Sequence, residues 1–210
     1  TLYQEAFSLF IDGKLDDALA VLDDEKLQTK KIELLHKQEH ERDKLAETFI
    51  FKAEMLQLKF DFKNAEKNYN EALALSPAWA NYVKAAYFYQ FLNNFSQADA
   101  LYQKALTLAK TDNERATTLN NLAVLQKAKN DFEAAKQGYQ EALQIRRELA
   151  RSNPQTYLPD VATTLNNLAN LQKAKNDFEA AEQGYHEALN AYRELTRANP
   201  QTYLPDVAMT

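Results

Sequence analysis

Amides and carboxylates carry most of the chemistry available to this 210-residue chain. Asn120 and Asn121 stand side by side, and Asn166, Asn167 and Asn170 form a second group further on. An asparagine side chain both donates and accepts hydrogen bonds, so it can hold an extended polypeptide backbone without demanding one sequence. Lys127 and Lys173 follow the two groups and can pair with acidic side chains or a terminal carboxylate. His36 and His40 have the spacing that puts two imidazoles on one helix face. A zinc site needs further ligands, however, and no His-Glu-x-x-His stands there. Cysteine is absent, which rules out disulfides, thiolate metal sites and cysteine nucleophiles. No Gly-rich phosphate loop and no Gly-x-Ser-x-Gly elbow occurs. The carboxylates fall on faces that read as solvated, where nothing perturbs their acidity. The sequence therefore points away from an enzyme, and no cofactor or metal is expected.

Composition narrows the partners. Apolar residues make up 45% and charged residues 26%, ordinary for a soluble folded protein. Net charge is −5 and no long basic run occurs, which argues against nucleic acid or an anionic membrane as partner. No apolar run approaches the roughly 18 residues that span a bilayer, so no membrane insertion is expected. No signal peptide is visible, and a cytoplasmic location is expected. With only 3 Gly and 5 Pro, few positions force a turn, and helix is favoured over strand.

The elements that position the asparagines are repeated. Residues 116–161 and 162–207 are identical at 38 of 46 positions, so the segment was duplicated. Each copy holds two amphipathic stretches. In the later copy, Leu165, Leu168, Ala169 and Leu171 recur at helical steps within a stretch from about Asp160 to Ala174. Phe178, Ala181, Tyr185, Ala188 and Leu189 do so between Asp177 and about Arg197. Lys175, Asn176 and Asp177 form a polar turn between them, with Asp177 placed to cap the second helix. In Asn-Pro-Gln-Thr-Tyr-Leu-Pro-Asp the two prolines are expected to end one helix and restrict the approach to the next, which Asp160 then caps.

This pattern resembles the tetratricopeptide repeat. Its positions are matched by Leu119, Leu122, Ala123, Phe132, Ala135, Tyr139 and Ala142 in the earlier copy. The later copy matches through Leu165, Leu168, Ala169, Phe178, Ala181, Tyr185 and Ala188. Weaker matches lie upstream. One comprises Phe49, Ala53, Leu56, Phe62, Ala65, Tyr69, Ala72 and Pro77, with Lys52 in place of the usual Leu. Another comprises Tyr82, Ala86, Tyr89, Phe95, Ala98, Tyr102 and Ala105. Leu2, Ala6, Leu9, Leu15 and Ala18 fit a degenerate first hairpin. The resemblance implies an all-α, right-handed superhelical solenoid of antiparallel helical hairpins. The expected units are a degenerate hairpin at 1–23, a charged helical insertion at 24–46, repeats at 47–77 and 78–111, long repeats at 112–157 and 158–203, and the start of another at 204–210. A third copy of the duplicated sequence opens at Asn199, and the chain begins on Thr1, so a longer array is expected. The long repeats, with Leu-Asn-Asn-Leu-Ala, look like those of kinesin light chains and of bacterial signalling proteins.

The resemblance also implies a function. In this family the first helices of the hairpins line a concave groove that takes a peptide or protein segment. Here those positions are Thr117, Asn120, Asn121, Val124 and Lys127, then Thr163, Asn166, Asn167, Asn170 and Lys173. The bland alternative is that Asn121 and Asn167 bridge neighbouring helices. Two other readings stand beside the scaffold: a sensor or regulatory arm of a larger signalling enzyme, and self-association through the exposed C-terminal repeat surface. Elsewhere, Gly138 and Gly184 inside helices suggest close helix packing, and Tyr157 and Tyr203 are expected to anchor their linkers. Fourteen of the 25 residues from Asp23 to Glu47 are charged, and no Gly or Pro interrupts residues 14–76. One helix is therefore expected from near Asp24 through Phe60, about 50 Å long, with its first half projecting.

Overall fold

The computed structural model describes residues 1–35 and 39–198, with side chains as far as Thr196. The third-copy start, Tyr203 and His36 fall outside the described residues. Contacts divide the chain into two compact units, Thr1–Asn93 and Asn94–Thr210. The regular structure among the described residues is entirely helical.

The first unit holds α1 (Leu2–Ile11), α2 (Leu15–Val21), α3 (Asp24–Leu34), α4 (Glu39–Leu58), α5 (Phe62–Leu75) and α6 (Trp79–Phe91). The α1–α2 and α4–α5 pairs are hairpins. Each turns through a left-handed residue, Gly13 at φ 74° and Phe60 at φ 60°. Asp61 then caps α5, its carboxylate accepting from the Asn64 N–H at 3.3 Å. Small residues set the helix spacing: Ala53 on α4 and Ala65 and Ala72 on α5 are fully buried, and Phe49 and Tyr69 fill the space beside them. The Tyr69 and Phe88 rings, 4.8 Å apart, carry the core across to α6.

The single long helix expected from Asp24 does not form. α3 and α4 are separate, and α3 lies against its neighbours rather than projecting. Leu27 and Leu34, seven residues apart on one face, are buried. Asp24 accepts from Lys52 of α4 at 2.6 Å and from Lys67 of α5 at 3.1 Å, and Lys31 pairs with Glu71 of α5. The charge run is thus a docking face as well as a solvated one.

The second unit holds α7 (Phe95–Leu108), α8 (Asp112–Ala128), α9 (Phe132–Ser152), α10 (Pro154–Ala174) and α11 (Phe178–Ala198). Thr111 and Glu114 form a capping box at the start of α8. α8–α9 and α10–α11 are hairpins, and α10 also packs along α9. Both hairpins turn through an asparagine at φ 62°, Asn130 and Asn176. The next N–H groups, of Asp131 and Asp177, donate to the carbonyls of Gln126 at 2.9 Å and Gln172 at 3.0 Å, closing the helix ends.

The prolines act differently from expectation. α9 ends at Ser152 and α10 begins at once, with Asn153 as cap and Pro154 in the first helical turn, where a missing N–H costs nothing. Pro159 stands inside α10, so Tyr157 lies on a helix rather than in a linker, and Asp160 does not begin the helix.

Candidate protein-interaction face

α8 and α10 are the first helices of the two copied hairpins, and they carry every sequence-predicted site residue. On α8, Thr117, Asn121, Val124 and Lys127 are half-buried. Asn120 is only 7% exposed, which corrects the expectation that it lies open. On α10, Asn166 and Asn167 are half-buried, and Thr163, Asn170 and Lys173 are exposed. Val124 packs partly against the cluster of Ala123, Ala135, Tyr139 and Leu171, so it serves the core as well.

The asparagines join the two helices. Asn167 donates from Nδ2 to Asn120 Oδ1 at 3.2 Å, and Asn120 donates from Nδ2 to Asn121 Oδ1 at 3.4 Å. Bridging between neighbouring helices therefore occurs, through Asn120 with Asn167. Each amide has two donors and an acceptor oxygen with two lone pairs, so one bridge leaves capacity on the same face. Asn170 accepts from the Tyr185 hydroxyl at 2.8 Å, which fixes its side chain at the exposed edge. Thr163 turns inward along its own helix, its hydroxyl donating to the Pro159 carbonyl at 2.9 Å. The structure thus brings Asn120, Asn121 and Asn167 together, while Lys127 and Lys173 stand a turn or more further along their helices.

Close helix packing lies behind this face. A Cβ on Gly138 would lie 3.1 Å from the Ala123 Cβ, and one on Gly184 would lie 3.0 Å from the Ala169 Cβ. Both contacts are tighter than ordinary carbon–carbon packing. Tyr139, against the same cluster, is 1% exposed, and burial pushes its phenol well above the usual value.

Sequence reasoning missed Arg146. Its side chain is 4% exposed, and it donates to Thr164 Oγ1 at 2.5 Å and to the Asp160 carbonyl at 3.2 Å, tying α9 to α10 just past Pro159. Burial lowers its guanidinium from the ordinary value, opposed by the Asp160 charge. The signal was available. Arg146 continues the apolar stripe of Tyr139, Ala142 and Leu143, and it is one of the eight positions at which the copies differ, with Tyr192 opposite it.

The Tetratricopeptide repeat family matches residues 76–148 and again residues 161–196, together more than half of the chain. The chain belongs to the tetratricopeptide repeat family. No curated protein matches the sequence. Among solved structures, BtubC (BKLC) from P. vanneervenii is 23% identical, with a TM-score of 0.77 over 96% of this chain and 80% of that one. MamA 41-end from Desulfovibrio magneticus RS-1 is 14% identical, with a TM-score of 0.62 over 94% of each chain. The apo form of RapI is 14% identical, with a TM-score of 0.72 over 92% of this chain and 69% of that one. These likenesses establish the fold: an all-α solenoid of antiparallel tetratricopeptide hairpins. The family is generally a non-catalytic protein-interaction module. Among the described residues, no helix is long and apolar enough to cross a membrane.

Proposed function

We propose that this chain is a non-catalytic scaffold that binds a peptide or protein segment along the face formed by α8 and α10. The amide chain Asn167–Asn120–Asn121 carries this reading, because it presents repeated donors and acceptors suited to a polypeptide backbone. Thr117, Val124, Lys127, Thr163, Asn166, Asn170 and Lys173 complete the face. Asn121 and Asn170 are its main outward contacts, and Asn120 is the brace behind them. In this reading the repeats at 47–77, 78–111 and 112–157 are followed by one at 158–203, whose first helix opens earlier, at Pro154. Capture of binding proteins by the chain, repeated with Asn121, Asn167 and Asn170 changed to Ala, tests it. Loss of a specific partner is expected, and unaltered capture of every partner refutes it.

Self-association through the C-terminal hairpin is a second reading. Phe132 of α9 is half-buried against the cluster that includes Leu171 of α10. Its copy Phe178 on α11 is 62% exposed, which supports a further helix docking there. Light scattering over a range of concentrations tests it, with growth in mass that Phe178→Asp abolishes as the supporting result.

A further inference from the structure

A groove of about 600 Å³ opens on the opposite side of the second unit, between α9 and α11, with α10 as its floor. That volume lies within the range of ligand-binding clefts. Four primary amides converge on it from three helices: Gln140 and Gln144 on α9, Gln172 on α10 and Gln183 on α11. Leu143, Leu165 and Leu168 provide an apolar strip beneath them. None of these residues belongs to the asparagine face.

Three observations bear on what would fit. Gln172 Oε1 is buried and accepts no hydrogen bond, so an N–H donor arriving there would find an acceptor already desolvated. Two arginines and two glutamates line the groove, and one pair of them meets across it. Arg147 donates across the groove to Glu187 at 2.6 Å, and Glu148 accepts from Gln144 at 3.4 Å. Arg151, at the far end of the α9 wall, has no acidic partner among the described residues. Finally, the wall from Gln140 to Arg151 rises about 16 Å, the span of about five extended residues.

The groove depends on the lengthened second helix. α7 has 14 residues and α9 has 21, and Arg147 and Arg151 lie in the added turns. At the preceding junction the residue equivalent to Glu187, Glu141, pairs instead with Arg115 of α8. The four amides and Arg151 therefore come together where a long second helix faces the next one.

From this arrangement we propose a second binding site, between α9 and α11, for a short extended peptide segment bearing an apolar side chain and, toward Arg151, a carboxylate. The glutamine amides read its backbone in both senses, Gln172 accepts one of its N–H groups, and the leucine strip takes the apolar side chain.

The test is a titration of the ¹⁵N-labelled chain with end-capped five-residue peptides that share a central Leu and end in either Asp or Lys. Side-chain amide signals of the four glutamines are expected to move with the Asp peptides and not with the Lys peptides. Arg151→Glu, at an exposed position, is expected to reverse that preference, and Gln172→Met to weaken binding about fivefold or more. Asn121→Ala with Asn167→Ala is expected to leave this binding unchanged, which separates the site from the asparagine face. Movement confined to asparagine side chains, an unchanged preference in Arg151→Glu, or no response to either peptide would overturn the proposal. Thermal melting of each variant distinguishes lost binding from lost folding.

Discussion

Single residues set the spacing and the charge pattern. Gly138 is unfavourable in a helix interior, by about 1 kcal/mol relative to Ala. It is kept where a methyl group would press on Ala123 and on the Leu119 carbonyl. Gly138→Ala therefore gains helix propensity and loses packing. We expect a net loss of about 1–3 kcal/mol, read by denaturant unfolding. Lys52 makes the complementary point. It occupies a position where the repeat usually has Leu, is 6% exposed, and depends on Asp24. Replacing the buried ammonium by Leu removes both charge and desolvation, so Lys52→Leu is expected to be neutral or stabilising. Asp24→Asn instead strands the ammonium and is expected to cost about 1–3 kcal/mol, less than a fully buried pair because Asp24 is half exposed. The hydrogen bond from Lys52 holds the Asp24 carboxyl below its ordinary 3.8, outweighing the opposing effect of burial. A carboxyl with a lowered folded value stabilises at pH above its ordinary value and stops doing so as pH falls through the lowered one. The native chain is therefore expected to lose stability below about pH 4 more steeply than Asp24→Asn, as read by melting temperature against pH.

At the scale of helices, the turns and junctions explain which boundaries could be read in advance. The hairpin turns were legible because Lys-Asn-Asp combines a residue tolerant of left-handed backbone with an acidic cap. Phe60 holds the same conformation without that tolerance and exposes 76% of its surface. Phe60→Asn is expected to stabilise the chain by about 0.5–1 kcal/mol in thermal unfolding. The break between α3 and α4 was not legible. Residues 24–47 contain no Gly or Pro, and the packing of α3 is decided by Leu27, Leu34 and pairs with Lys52, Lys67 and Glu71, all distant in sequence. The start of α10 was misread for a related reason. A proline inside a helix usually costs about 3 kcal/mol, so Pro159 reads as a terminator. Pro159 leaves the Gln155 carbonyl without its intrahelical donor, and Arg146, donating to the Asp160 carbonyl and to Thr164 just past it, holds that part of α10 against α9. Arg146→Ala should release it. The expected loss is about 2–4 kcal/mol, with faster amide exchange in residues 154–162. Unchanged exchange there would contradict the bracing.

For the molecule as a whole, duplication made the fold legible. Thirty-eight identities in 46 positions, laid on helical spacing, leave little besides a stack of hairpins. For the proposed binding face, the helices that carry it were legible and the contacts on it were not. The asparagines were found on α8 and α10, but the sequence could not show that Asn120 would be buried as a brace, because that depends on the distance between helices from different repeats. Repeats of this kind recur with similar cores and differ in the side chains they present, so function rests on those presented groups. The central claim is that partners engage the first-helix face. It is tested most directly by placing a photo-crosslinking residue at Asn121 or Asn170, and in separate chains at Gln137 or Glu182 on the second helices, then mapping the adducts of a captured partner. Adducts at Asn121 and Asn170 are predicted. Adducts of every partner confined to Gln137 and Glu182 would contradict the account.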